Sequence, residues 1–208
     1  MKMKGCDDTF TSSPAVGDIN GDGAPEIVIG SDTAVYVITR KGKVLWTVPA
    51  DGNYHSSPAL ADIDQNGDIE VIIGSENKVC AFNGEDGSIL WEVETQGLIL
   101  SSPAVADIDG DGDYDAVVGS NDTFLYAVDG SGTVLWIFGT GADIESSPAV
   151  VDIDGDGFAE IVVGSNDSRV YVLDSDVSAT HSVRIAGILG GFLLGILLLG
   201  FIVLKKTL

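Results

Sequence analysis

The sequence is poor in the residues that disulfide scaffolds and nucleic-acid surfaces require. Its 208 residues include two cysteines, and 10 Lys and Arg stand against 32 Asp and Glu, which gives a formal net charge of −22. Two cysteines exclude a small domain held together by several disulfides. The shortage of Lys and Arg argues against binding along a phosphate backbone, so we expect no nucleic-acid partner. A cation is the more natural partner of such a chain.

Charged residues are missing altogether from residues 185–204, which read IAGILGGFLLGILLLGFIVL. Twenty residues at the helical rise span about 30 Å, the thickness of the hydrocarbon core of a bilayer. A buried core helix of this length normally keeps a polar stripe, and this segment has none. The sequence therefore predicts one transmembrane helix over 185–204, through which the protein would be anchored in a membrane.

The flanks of this segment predict its orientation. Lys205 and Lys206 follow it and Arg184 precedes it, so the excess of positive charge places the short basic tail, 205–208, in the cytoplasm. We therefore expect a single-pass protein of the cell membrane with its N-terminal domain extracellular. Residues 1–10 contain no apolar run of signal-peptide length. Two alternatives stay open: an export signal upstream, or a tail-anchored protein whose domain stays in the cytoplasm.

An internal repeat organises the rest of the chain. Ser-Ser-Pro begins at Ser12, Ser56, Ser101 and Ser146, so the repeats are 44 or 45 residues long. In the third repeat, turns rich in Gly, Asp and Asn separate four strand-length runs rich in Val, Tyr, Phe and Leu. These runs are 103–107, 115–120, 124–129 and 133–138. Four short antiparallel strands per unit of about 45 residues are typical of a β-propeller blade.

The repeats predict the domain boundaries. The four propeller repeats cover residues 12–174, as 12–55, 56–100, 101–145 and 146–174, and residues 1–11 are the end of a preceding repeat or a linker. After Asp174 the polar stalk 175–184 stands where a last strand is expected. The predicted fold is all-β, with four repeats of four antiparallel strands, the last blade incomplete, and one C-terminal transmembrane α-helix. Trp46, Trp91 and Trp136 recur near the ends of three repeats, where packing between blades explains them.

Each repeat carries the same acidic loop of nine residues, at 18–26, 62–70, 107–115 and 152–160. Oxygen-bearing side chains occupy positions 1, 3, 5 and 9, glycine occupies position 6, and position 7 varies, as expected if it supplies only its backbone carbonyl. Calcium binds six to eight oxygens, and these crowded carboxylates would repel one another without a cation. Hydrophilic turn chemistry explains one such loop but not four. The sequence therefore predicts up to four Ca²⁺ sites. The candidate ligands are Asp18, Asn20, Asp22, Ala24, Glu26, Asp62, Asp64, Asn66, Asp68, Glu70, Asp107, Asp109, Asp111, Asp113, Asp115, Asp152, Asp154, Asp156, Phe158 and Glu160.

The stretch VADIDGDGDYDAVVGS in the third repeat resembles the FG-GAP repeat of the integrin α-chain β-propeller and of related bacterial and archaeal surface proteins. The resemblance covers residues 12–174. It implies that the loop joins the first and second strands of a blade and binds calcium, with ligands at positions 1, 3, 5, 7 and 9. The second half of each repeat, as in LYAVDGSGTVLW, is similar to pyrroloquinoline-quinone-type propeller repeats, a likeness that implies blade geometry more than chemistry.

Catalytic groups are scarce, so we predict that the protein is not an enzyme. His55 lies in an inter-blade linker and His181 in the stalk, each without a nucleophile motif nearby. Cys80 takes the place of a tyrosine found in the other repeats and is expected in the core. The leading hypothesis is a membrane-anchored, calcium-binding propeller that acts in recognition or adhesion at the cell surface, for a protein or glycan ligand. The alternative is a scaffolding subunit, or a truncated part, of a larger propeller protein associated with an enzyme.

Two further expectations concern assembly and modification. Gly187, Gly191 and Gly195 recur every four residues, a small-residue face suited to helix pairing, so we hypothesise a homodimer whose two sets of four blades form one ring; truncation is the simpler alternative. Asn121 and Asn166 each begin an Asn-X-Ser/Thr pattern at equivalent turns. These two asparagines are candidates for N-glycosylation, and Asn-Asp is also a favourable tight turn.

Overall fold

The computed structural model describes residues 8–50, 52–155, 157–174, 183–187 and 196–197. These residues form four antiparallel sheets, and in each sheet the strands are paired in the order of the chain. The first sheet contains β1 (Ala15–Gly17), β2 (Glu26–Gly30), β3 (Ala34–Thr39) and β4 (Val44–Pro49), and the second contains β5 (Ala59–Ala61), β6 (Glu70–Ser75), β7 (Lys78–Phe82) and β8 (Ile89–Glu94). The third contains β9 (Ala104–Ala106), β10 (Asp115–Gly119), β11 (Phe124–Val128) and β12 (Val134–Gly139), and the fourth contains β13 (Ala149–Val151), β14 (Glu160–Ser165), β15 (Arg169–Asp174), β16 (Val183–Gly187) and β17 (Ile196–Leu197).

The predicted all-β architecture is confirmed: each repeat forms one propeller blade. The four strands expected in the third repeat are all present, and β10 and β11 begin at the residues where their strands were predicted. Strands form here because Val, Ile, Tyr and Phe, which favour strands, are concentrated in short runs bounded by Gly, Asp and Asn turns. In the turn between β11 and β12, for example, Gly132 has a φ of 85°, a conformation that glycine adopts without a steric penalty.

The hydrophobic core lies between blades rather than within one blade. Each sheet has a leading face, which packs on the preceding blade, and a trailing face, which packs on the next blade. The second strand shows this alternation: Val71 of β6 packs on the first blade, while its neighbour Ile72 packs on the third. Both side chains are fully buried. Each described blade therefore depends on its neighbours for burial of its apolar surface, which is the general property of repeat architectures.

Several aromatic and cysteine positions have the packing roles that the sequence predicted. The Nε1 atom of Trp46 donates a hydrogen bond of 2.7 Å to the carbonyl of Gly84 in the next blade, and Trp91 does the same to Gly130 at 2.9 Å. Trp136 packs against the core between the third and fourth blades. Cys80 is buried between the first and second blades. These side chains therefore contribute to the contacts between neighbouring blades.

The Ser-Ser-Pro segments link the blades at their first strands. The second serine of each of the first three segments donates its backbone N–H to the hydroxyl of the second serine in the following repeat. These N···Oγ distances are 2.9 Å from Ser13 to Ser57, 2.9 Å from Ser57 to Ser102 and 3.0 Å from Ser102 to Ser147. We call this row of hydrogen bonds the serine ladder. It runs in one direction through all four blades.

The fourth repeat differs from its predicted form. The sequence indicated a blade that ends at Asp174 without its last strand, but Val183–Gly187 pairs antiparallel with β15 and completes the fourth sheet, to which β17 adds a fifth strand. The physical reason is that β15 offers an unpaired edge of backbone groups, which a neighbouring strand satisfies.

The predicted membrane span, the stalk and the basic tail lie outside the described residues, apart from these two strands. Within the described part of the chain, no helix is long and apolar enough to cross a membrane. The predicted glycine face at 187, 191 and 195 is likewise outside the described residues, except for Gly187 at the end of β16.

Candidate metal centres

The four acidic loops occupy equivalent places in the blades. Each loop connects the first strand of its sheet to the second, and its ninth residue is the first residue of that second strand. The antiparallel register fixes this residue: Ala61 is paired with Glu70, and Ala106 with Asp115. Because two paired strands hold both ends of the loop, its side chains are directed toward one another by the backbone rather than by chance contacts on the surface.

A network of side-chain to backbone hydrogen bonds shapes each loop. At position 1, the carboxylate of Asp107 accepts the backbone N–H of Gly112 at position 6, with an O···N distance of 3.1 Å. Asp18, Asp62 and Asp152 make the same bond at 2.8, 3.1 and 3.1 Å. Gly112 has a φ of 96°, so glycine is required at position 6 for the sharp turn that the sequence indicated.

The closing acid at position 9 is the most buried acid of each loop. The exposed fraction of Glu26, Glu70, Asp115 and Glu160 lies between 0% and 5%. One carboxylate oxygen accepts the backbone N–H of the isoleucine at position 2, at 3.0 Å for Glu70, 2.7 Å for Asp115 and 2.6 Å for Glu160. This isoleucine amide was not recognised as part of the site from sequence, although an invariant Asp-Ile pair in all four loops carried the signal.

The second oxygen of the closing glutamate has no hydrogen-bond partner. This holds for Oε2 of Glu26, Oε1 of Glu70 and Oε1 of Glu160. At position 1 of the second loop, Oδ1 of Asp62 is also buried without a hydrogen-bond partner. An unpaired buried carboxylate oxygen is costly, since burial removes hydration without replacing it. Oxygen donors of this kind are the ligands that Ca²⁺ prefers. The loops therefore fit a hard divalent cation on the chemistry of their own atoms.

Three acidic clusters converge closely enough to hold an ion. In each cluster, the carboxylates at positions 1, 3 and 9 offer ligand atoms that all lie within 4.8 Å of one another. These clusters are Asp62, Asp64 and Glu70; Asp107, Asp109 and Asp115; and Asp152, Asp154 and Glu160. They are typical of FG-GAP calcium sites. The first loop carries Asn20 at position 3, so Asp18 and Glu26 have an amide oxygen, not a third carboxylate, between them.

The other predicted ligands lie in the same loops but outside these three clusters. The position-5 side chains mainly shape the backbone: Asn66 and Asp111 accept the N–H of position 7 at 2.7 and 2.9 Å. Asp22 does the same at 2.8 Å. Asp156 lies outside the described residues. At position 7, Phe158 is 41% exposed, and Ala24, Asp68 and Asp113 stand at the equivalent positions, where only the backbone carbonyl was predicted to serve.

Burial and repulsion between neighbouring carboxylates raise the pKa of several acids in the loops and so disfavour their charged form. Burial raises the pKa of Glu70 to about 7. The negative charges of Asp64 and Asp62 raise this pKa as well, whereas the hydrogen bond from the backbone N–H of Ile63 lowers it. Burial likewise raises the pKa of Asp115 to about 7, and the pKa values of Glu26 and Asp109 are also raised, chiefly by burial. A cation would relieve this repulsion, and with a cation bound the carboxylates would stay ionised at neutral pH.

A second set of acids, at the turn between the second and third strands, has a structural role. Oδ2 of Asp122 accepts the phenol proton of Tyr126 at 2.6 Å and the backbone N–H of Gln96 in the preceding linker at 2.9 Å. Asp167 makes the equivalent bonds with Tyr171 and Gly141. Asn121 and Asn166 stand at these turns and were predicted as tight-turn residues; their glycosylation stays a prediction.

Comparisons with known proteins agree with this architecture. The family model described as lambda-carrageenase beta-propeller domain matches residues 71–184, and the model described as FG-GAP-like repeat matches residues 18–73. No curated protein sequence matches the chain.

Solved structures show the same fold at low sequence identity. BamB from Moraxella catarrhalis has a TM-score of 0.64 and 15% identity, over 86% of this chain and 62% of BamB. BBS1N, crystallised in complex with ARL6DN, has a TM-score of 0.60 and 13% identity, over 91% of this chain and 67% of that protein. The quinohemoprotein alcohol dehydrogenase from Comamonas testosteroni has a TM-score of 0.59 and 12% identity, over 79% of this chain and 34% of the enzyme.

Such distant likeness establishes the fold alone, and the chain spans less than two thirds of the length of BamB. The family match rests on sequence and extends over more than half of the chain. The FG-GAP-like match covers the first loop and the second, where the resemblance in sequence had pointed. The chain therefore belongs to the family of the lambda-carrageenase beta-propeller domain and carries FG-GAP-like repeats.

Proposed function

We propose that this protein is a membrane-anchored β-propeller module that binds up to four calcium ions and recognises a protein or glycan outside the cell without catalysing a reaction. The observation that carries the proposal is the set of buried carboxylate oxygens that have no protein partner, one each on Glu26, Glu70 and Glu160. Calcium would be held by these closing acids together with positions 1 and 3, and it would supply charge neutralisation and stiffness rather than chemistry.

The non-catalytic role is supported by where the perturbed acids lie. The carboxyl groups of Glu26, Glu70, Asp109 and Asp115 have a raised pKa, and all four belong to the metal loops. An active site would be expected to hold perturbed titratable groups of its own. In the described part of the chain, His55 is the only histidine. These four acids are therefore engaged as candidate ligands.

Attachment to the cell membrane is supported by the composition of the uncharged run 185–204 and by the basic residues that follow it, although residues 185–187 and 196–197 of this run form strands of the fourth sheet. Extraction of cell membranes at alkaline pH should leave the protein in the membrane fraction. Alkaline pH releases proteins that are bound only to the membrane surface, whereas an apolar helix that spans the hydrocarbon core stays in the bilayer. Protease added to intact cells should remove the propeller. Protection of the propeller in intact cells, with digestion after lysis, would instead support the tail-anchored alternative.

Recognition is tested with the full chain purified in detergent. Binding to an array of glycans, with lambda-carrageenan included because of the family's name, is measured in calcium and again after chelation. We expect binding that chelation abolishes. The variant Asp107→Ala with Asp111→Ala should weaken this binding, while Glu92→Ala with Glu94→Ala, two exposed acids on the outer strand β8, is the matched control. Binding that is equal with and without calcium would contradict a calcium-dependent recognition role.

A second candidate function is a scaffold that positions an enzyme. The observation that favours it is the family match itself, since the matching model is described as a domain of a lambda-carrageenase. In that case the full chain should co-purify with an enzyme in a fixed ratio, and the complex rather than the isolated chain should act on lambda-carrageenan. An isolated chain that binds glycans directly and carries no partner would favour the recognition role.

A further inference from the structure

The two ends of the four-blade arc expose surfaces that every internal contact between blades buries. At position 2 of the acidic loops, Ile19, Ile63 and Ile108 are 1–2% exposed, because the next blade covers them, but Ile153 is 57% exposed. On the leading face of the first blade, Ile27 is 36% exposed. The residues equivalent to Ile27 are Val71, Ala116 and Ile161, and they are 0–1% exposed.

The exposed ends are complementary in backbone hydrogen bonding. In the serine ladder, Ser13 donates its N–H to the second blade, and among the described residues no group donates to its hydroxyl. At the other end, Ser147 accepts from Ser102, while its own N–H has no acceptor in the described part of the chain. A free donor at the trailing end and a free acceptor at the leading end are the two halves of one further rung.

The ends are also complementary in charge. Between blades, the turn that joins the third and fourth strands packs against the acidic loop of the preceding blade: the Cβ of any residue replacing Gly130 would lie 2.0 Å from the carbonyl oxygen of Ile63. In the first blade this turn carries Arg40, Lys41 and Lys43, three of the ten basic residues of the chain. The loop that such a turn would face at the trailing end, 152–160, carries four acids.

From these three observations we infer that the leading face of the first blade docks on the trailing face of the fourth blade of a second copy of this chain. The contact is head to tail, so the same pair of surfaces recurs at each junction. It covers Ile27 and Ile153, adds a Ser147 to Ser13 rung to the serine ladder, and sets the basic turn against the acidic loop. This inference does not depend on metal binding or on the recognition role.

The junction between copies differs from the junctions within the chain in one respect. Arg40 stands where the second and third blades have Gly84 and Gly130. A side chain at that position cannot approach the preceding loop as closely as glycine does, so the copies are held more loosely at the acidic-loop edge of the sheets, through ionic contacts. We therefore expect the junction to weaken with rising salt, as exposed charge pairs do.

Mixed cross-linking tests the head-to-tail arrangement directly. Two differently tagged full chains in detergent, both in a Cys6→Ser background, carry Ser13→Cys and Ser147→Cys respectively, and a short bismaleimide is added. Within one chain, the S57C/S102C pair reports whether ladder geometry permits the reaction. We expect the mixture of S13C and S147C chains to give at least ten times more cross-linked pair than either chain alone. Lys41→Glu should reduce this yield severalfold, and Lys78→Glu, on the second blade, should leave it unchanged.

Each result of this experiment decides for or against the inference. Product that forms equally well with S13C alone would indicate contact between like faces and would overturn it. Absence of product in the mixture, while the S57C/S102C control reacts, would also overturn it, whether the chain is monomeric, is paired only through the predicted membrane helix, or has its end faces covered by further repeats or another protein. A junction yield that falls steeply between low and high salt would support the ionic contact.

Discussion

The third acidic loop and the first occupy equivalent places in their blades but differ in charge. The third has aspartate at all five predicted ligand positions, whereas the first has three acids, because Asn20 and Ala24 replace acids at positions 3 and 7. Both keep a buried closing acid, Asp115 or Glu26, and the same bond from position 1 to position 6. The blade geometry thus fixes the shape of the loop while the side chains set its charge, so we expect the loops to differ in calcium affinity, with the third loop stronger than the first.

Removal of all bound metal should have the largest effect. In the full chain in detergent, chelation should lower the melting temperature, because an ion that binds only the native state at 100 times its Kd contributes about 2.7 kcal/mol per site. If the loops differ in affinity, calcium added back should raise the melting temperature over a range of concentrations wider than a single site requires. Circular dichroism melts measure this, and identical melts with and without chelator would contradict the metal centres.

Disruption of single loops should separate the third loop from the first. Asp107→Ala with Asp111→Ala should remove about 2.7 kcal/mol of calcium-dependent stabilisation when the free calcium concentration is 100 times the Kd of the third loop. The matched pair Asp18→Ala with Asp22→Ala should remove much less at that same concentration. The quantity measured is the free energy of unfolding of each variant in calcium minus its value in chelator. The effect of the lost hydrogen bonds is present in both conditions and therefore cancels. Equal losses from the two pairs would show that charge does not rank the loops.

A further negative charge in the first loop should reduce the difference in calcium affinity between the first loop and the third. Asn20→Asp gives this loop the same carboxylates at positions 1, 3 and 9 as the three clusters, and we expect its calcium affinity to rise roughly tenfold, or ~1.4 kcal/mol. Asn20→Ala removes the oxygen and should weaken the site instead. Titration calorimetry on chains whose third loop carries Asp107→Ala and Asp111→Ala makes the first loop easier to resolve. An Asn20→Asp chain with unchanged affinity would mean that the amide oxygen already serves as well as a carboxylate.

A separate prediction concerns the pH dependence of stability without metal. The pKa values of Glu70 and Asp115 are raised in the folded chain to about 7, whereas in the unfolded chain they lie near 4. The folded state therefore binds more protons between these values, and the stability that protonation contributes is lost as pH rises from about 4 through 7. In chelator, the double variant E70Q/D115N should show a shallower fall in stability over this window than the parent, measured by denaturant unfolding. An unchanged slope would contradict the buried state of these acids.

Most strands of the blades could be predicted because the residues that favour each strand and each turn lie close together in the sequence of a single repeat. Strand-length runs rich in Val, Tyr, Phe and Leu, and the turns rich in Gly, Asp and Asn, identified all four strands of the third repeat. The repeated oxygens at positions 1, 3, 5 and 9 identified the acidic loops that contain the clusters. Three features depended on contacts between repeats and gave no local signal: the leading and trailing faces, the serine ladder and the partnerless oxygen of Glu70. The pairing of Val183–Gly187 with β15 has no local signal either, because residues 185–187 begin an uncharged run whose composition predicts a membrane helix rather than a strand.

The serine ladder has a consequence for how such a protein could change in length. Every repeat brings its own hydroxyl acceptor for the repeat before it and its own amide donor for the repeat after it, at a spacing of 44 or 45 residues. Duplication or deletion of one complete unit in the gene, such as the codons for 101–145, would therefore leave each remaining hydrogen bond with a partner of the same kind. The ladder itself therefore tolerates a change of one whole unit in blade number.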